Sequence, residues 1–66
     1  MQEKNFTNDE LFSISISLSI LKSEYDDLYI SFLGMEDYSL ANYFKDKSDF
    51  LSDLSLKIDS ILFERN

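Results

Sequence analysis

The chain has 66 residues, no cysteine, no histidine, no proline and one glycine, and thirteen acidic against six basic residues give a formal net charge of −7. Disulfides are thereby excluded, a zinc site loses its usual ligands, and the common His- and Cys-based catalytic dyads and triads are gone. The length supports one domain with a marginal core, and the acidity makes phosphate backbones and anionic membrane surfaces poor direct partners.

With hydrophobic residues at 44% and aromatics at 15%, the chain is not composed like a disordered one. Met1 to Asn5 reads as a frayed polar leader. It lacks the basic and apolar regions of a signal peptide, and no run nears the roughly eighteen apolar residues of a membrane span. Absence of cysteine fits a reducing compartment, so a cytoplasmic location is expected.

The stretch Phe6-Thr7-Asn8-Asp9-Glu10-Leu11 reads as a complete helix start. The Thr7 hydroxyl is placed to accept from a backbone N–H of the first turn, and Glu10 to reach back to the Thr7 N–H as a capping box. Phe6 and Leu11 fall where a hydrophobic staple needs them. Asp9 and Glu10 bring negative charge to the positive end of the helix dipole.

This start governs Ser13 to Ile20. Alone, the stretch alternates apolar and polar like a half-buried strand. Yet Leu11, Ile14, Leu18, Leu21, Tyr25, Leu28 and Phe32 advance in alternating steps of three and four, which is a heptad seam. The helix is chosen because the heptad is longer and begins at a capping box. Phe12, Ile16, Ile20 and Ile30 then fall on nearly the opposite side, giving a helix apolar on two faces. Ser13, Ser15, Ser17 and Ser19 border that second face, small enough for another helix to approach.

The first helix is predicted from about Thr7 to Leu33. Gly34 is expected as the left-handed residue that ends it, with Met35 packing back on Ile30. Asp37 is the expected N-cap of the second helix, with Ser39 as the alternative. Leu40, Tyr43, Phe44, Phe50, Leu51, Leu54, Ile58, Ile61 and Leu62 form its apolar stripe, while Leu56 and Phe63 lie off it. The polar run Lys45-Asp46-Lys47-Ser48-Asp49 marks a possible kink or split near 46–48.

The expected fold is all-α: two long helices, each about 40 Å at 1.5 Å per residue, joined as an antiparallel hairpin. Without disulfides or metal, association is the remaining way to add core. The hairpin is therefore expected to form a homodimeric four-helix bundle, with Phe12, Ile16 and Ile20 at the interface. A compact three-helix monomer, broken near Asp46 to Ser48, is the alternative.

No catalytic, cofactor or metal residues are assigned. Paired carboxylates are the only acid–base candidates, and they read as solvated helix ends. The spacing of Asp46, Asp49 and Asp53 does not match a calcium loop. A further expectation concerns the hairpin tip, where Glu24, Asp26, Asp27, Glu36 and Asp37 converge with Tyr25, Tyr29 and Tyr38. Such a tip would suit a basic surface on another protein. Two functions fit these features. One is a self-associating regulatory or adaptor module. The other is an acidic decoy that blocks a basic nucleic-acid-binding surface of another protein, as some phage and mobile-element proteins do.

Overall fold

The structure, a computed structural model, describes residues 6–65; the expected polar leader lies outside them. The chain folds as two helices, α1 (Asn8–Gly34) and α2 (Tyr38–Arg65), packed side by side as an antiparallel hairpin. The radius of gyration is 15.0 Å, against roughly 11 Å for a compact domain of this length. The extents of 49 × 19 × 15 Å describe a rod one helix deep.

Thr7 starts α1 as its spacing predicts. Its hydroxyl accepts from the Glu10 N–H at 3.1 Å, and the Glu10 carboxylate accepts from the Thr7 N–H at 2.8 Å. Both halves of the capping box are made, so two orphan donors of the first turn are satisfied. Leu11 is fully buried directly behind it. The alternation over Ser13 to Ile20 is wholly helical.

The end of α1 departs from expectation. Gly34 is the last helical residue and has no positive φ. The left-handed residue is Glu36, at φ 62°. The Glu36 N–H donates to the Leu33 carbonyl at 3.0 Å and the Asp37 N–H to the Phe32 carbonyl at 2.9 Å. These are the two bonds of a Schellman motif, set two residues beyond Gly34. The helix runs on because glycine permits a left-handed turn without compelling one. Met35 is the cap residue, and both it and Ile30 stay exposed.

Two substitutions follow from this placement. Glu36→Gly relieves a left-handed non-glycine residue and stabilises by about 1 kcal/mol. Gly34→Ala adds a Cβ that meets nothing within 4 Å and stabilises by about 0.5 kcal/mol. Urea melts at matched concentration check both. Destabilisation by each would return the left-handed role to Gly34.

Asp37 caps α2. Its carboxylate accepts from the Leu40 N–H at 3.3 Å and its carbonyl from the Ala41 N–H at 2.9 Å. The helix then continues unbroken through Lys45 to Asp49, so the expected split and the three-helix alternative are not adopted. The polar run is accommodated on the helix itself. Lys45 pairs with Asp49 at 3.7 Å, the Lys47 ammonium lies 5.4 Å from the Tyr43 ring centre, and Ser48 turns inward.

Cross-helix hydrogen bonds set the register. Ser15 Oγ donates to Asp59 Oδ1 at 2.8 Å, and Ser48 Oγ donates to Asp26 Oδ1. Eleven residues up α1 thus match eleven down α2. Arg65 closes the open end, donating to the Phe6 carbonyl and, at 3.1 Å, to Asn8 Oδ1. Near the closed end Phe44 stacks on Phe32 at 5.6 Å and packs against Tyr25 at 5.7 Å and Tyr43 at 5.2 Å.

The register turns α1 relative to the predicted seam. Leu11, Leu18, Tyr25 and Phe32 do face α2. The positions between them are shared by Ser15, Lys22 and Tyr29, which are half-buried, while Leu21 and Leu28 are exposed. The contact line of α2 includes Ala41, Ser48 and Ser55 at heptad spacing beside Phe44, Leu51 and Ile58. Small residues there let the helix axes approach.

Candidate protein-interaction surfaces

Among the described residues no cavity is present, and no cluster of acidic side chains is arranged to hold a metal ion. No helix is long and apolar enough to cross a membrane. What the hairpin does display is surface of marked chemical character.

Phe12, Ile16 and Ile20 point away from α2 and are 47–60% exposed. They follow one another at intervals of four, so each stands one turn above the last. They form a narrow apolar ridge along the outer side of α1, with Ile30 further along and separate from it.

The hairpin tip is less concentrated than its sequence suggests. Tyr25 and Tyr29 are half-buried in the helix interface, and Tyr25 lies against Phe44. Tyr38 is exposed at the start of α2. Asp37 is occupied by capping. Glu24 and Asp27, three residues apart, are neighbours on the exposed surface of α1, about 10–15 Å below the turn at 1.5 Å per residue. Glu36 lies in the turn itself, outside both helices.

Asp26 faces the partner helix. It accepts from Lys22 Nζ at 2.9 Å and from the Ser48 hydroxyl. The Ser48 hydrogen bond, followed by the Lys22 bond and charge, holds the Asp26 carboxyl below the ordinary range, and Lys45 adds to the effect. Lys22 is a local partner four residues back on the same helix, and the fold adds Ser48 and Lys45 from α2.

A carboxyl with a depressed folded pKa contributes stability above its unfolded pKa and loses it as pH falls through the folded value. Asp26→Asn is therefore less stable than the unmodified protein near pH 7. The gap narrows on acidification below about pH 4, the ordinary range of Asp. Thermal melts of the pair across that range check it; a gap independent of pH would mean that the charge of Asp26 contributes nothing.

A second exposed stripe is absent from the sequence expectations as a surface. Leu21 and Leu28 of α1, with Tyr43, Phe50 and Ile61 of α2, are exposed where the seam predicted them inside. The available signal was the heptad run of Ala41, Ser48 and Ser55, which marks the close-contact line of α2 and pushes the larger side chains to its flank. No family model, curated protein or solved structure matches the chain.

Proposed function

We propose that this chain acts by protein–protein association, as a self-associating module of regulatory or adaptor type in which two hairpins form a four-helix bundle. The observation that supports this is the balance of covered and uncovered apolar surface. Among the described residues only Leu11, Ala41 and Leu51 are buried apolar side chains. The accessible surface is 5019 Å², against about 4,400 Å² for a compact monomer of this mass. A rod one helix deep has no second layer to bury against, and association supplies one.

In this reading the protein presents surfaces and performs no catalysis. It binds no cofactor, and a further protein is the partner of an adaptor. The test is the concentration dependence of thermal unfolding. A dimer that unfolds to monomers has a Tm that rises with protein concentration. A constant Tm over a hundredfold range of concentration would reject self-association. The acidic-decoy reading has weaker support, because Asp26 and Asp37 are engaged within the chain.

A further inference from the structure

We infer that a second copy of this chain docks on the two-helix face that carries Leu21 and Leu28 of α1 and Tyr43, Phe50 and Ile61 of α2, related by a twofold axis along the hairpin. This rests on the self-association proposed above and specifies the surface that mediates it.

The cross-helix bonds locate the face. Ser15 and Asp26 lie on one flank of the α1 contact line, and their acceptor and donor, Asp59 and Ser48, lie on one flank of the α2 line. Those flanks meet along one edge of the pair, which also exposes Phe12, Leu56 and Phe63 but intersperses them with Lys22, Asp26, Asp49 and Asp59. At 3.6 residues per turn, Leu21 and Leu28 fall on the other flank of α1, and Tyr43, Phe50, Leu54 and Ile61 on the other flank of α2. These flanks meet along the opposite edge, so the apolar residues of both helices form one surface.

Its size suits a dimer of small chains. Leu21, Leu28, Leu40, Tyr43, Phe50 and Ile61 are each 38–62% exposed. At about 200 Å² for a large side chain, these leave about 500 Å² of apolar surface open. With the half-buried Ile14 and Leu54, the face offers about 600–700 Å² of apolar surface, the small end of the range around the ~800 Å² that each partner gives to a standard interface. The ridge of Phe12, Ile16 and Ile20 is one helix wide and offers less.

Charge selects a copy of this chain over a basic partner at this face. A chain of net charge −7 repels its twin unless its acids point elsewhere. Asp9, Asp27, Asp46, Asp49 and Asp53 lie on the outer sides of the helices. Asp26 and Asp59 are on the polar edge, and Glu10 is held by Thr7. Lys47 lies within the apolar face; Lys57 and Glu64 extend the Tyr43–Phe50 column along its α2 rim, Lys57 opposite in sign to Glu24 on the α1 rim.

The register makes the face complementary to itself. Ile14 lies level with Ile61, and Leu21 with Leu54. Rotation about the long axis lays α1 of one copy antiparallel on α2 of the other and preserves these levels. Leu21 then meets Leu54 of the partner subunit, and Ile14 meets Ile61 of the partner subunit. Glu24 comes within one helical turn of Lys47 of the partner subunit. The Phe12–Ile16–Ile20 ridge stays outside this dimer.

Sedimentation equilibrium of the unmodified chain, Phe50→Glu, Tyr43→Glu and Ile16→Glu tests the assignment, with helical circular dichroism recorded for each. All three substituted residues are exposed in the single hairpin, so the helical signal is expected to persist. Phe50→Glu and Tyr43→Glu are each expected to raise the dimer Kd by roughly 100-fold or more, as burial of an unpaired charge requires. Ile16→Glu leaves Kd within a few-fold. Dimerisation that Ile16→Glu abolishes and that Phe50→Glu and Tyr43→Glu spare would overturn this face while leaving self-association standing. A monomeric unmodified chain would overturn both.

Discussion

Leu11→Ala lowers the stability of the hairpin by about 2–5 kcal/mol, the cost of emptying a fully buried leucine site. Leu11 is 1% exposed and is the largest fully buried side chain. It sits at the open end, between the Thr7–Glu10 capping box and the Arg65 clasp. A whole domain has only about 5–15 kcal/mol to lose, and a chain with so few buried side chains lies near the lower bound. The variant is therefore largely unfolded in moderate urea. Denaturation at a fixed chain concentration measures this, and a loss under about 1 kcal/mol would show that Leu11 can collapse or rehydrate without penalty.

Ala41→Leu has the next largest effect. Ala41 is completely buried and Ser48 is 3% exposed, one above the other on the contact line of α2. Neither site has room for three further carbons. Overpacking costs about 1–3 kcal/mol for Ala41→Leu, read as a lower urea midpoint at matched concentration. Ala41→Ser, which adds one atom, serves as the mild control. Unchanged stability in Ala41→Leu would mean that the helices do not approach closely at that level.

Much of the fold is legible from local chemistry. The capping box at Thr7 and Glu10 and the cap at Asp37 are decided by neighbours three residues away, and both form as predicted. The helical reading of Ser13 to Ile20 holds because helix period and capping outweigh a short alternation. The rotation of α1 about its axis is decided between helices and is not local. Leu21 and Leu28 are the better hydrophobes for a seam. Ser15 and Asp26, however, form hydrogen bonds to Asp59 and Ser48, and the small residues of α2 receive the polar edge closely. Apolar residues displaced from one interface then become a surface.

The end of α1 shows a related limit. Gly34 carries the strongest stop signal in the chain, yet the turn is made at Glu36. A left-handed non-glycine residue costs about 1–2 kcal/mol, and the two Schellman bonds from Glu36 and Asp37 offset it. Likewise the polar run Lys45 to Asp49 carries no proline or glycine to force a break. Its side chains find partners along the helix, so α2 continues. Proximity in sequence gathers the acidic tip into one cluster. Once the helices are wound, Asp26 turns towards α2 and away from Glu24 and Asp27, and beside its local partner Lys22 it gains Ser48 and Lys45, which only the fold supplies.

The most direct measurement is the solution mass of the unmodified chain by sedimentation equilibrium over a wide concentration range at physiological salt. Self-association of the hairpin predicts a weight-average mass that rises with concentration towards twice 7.8 kDa. A mass of 7.8 kDa at every concentration would contradict it.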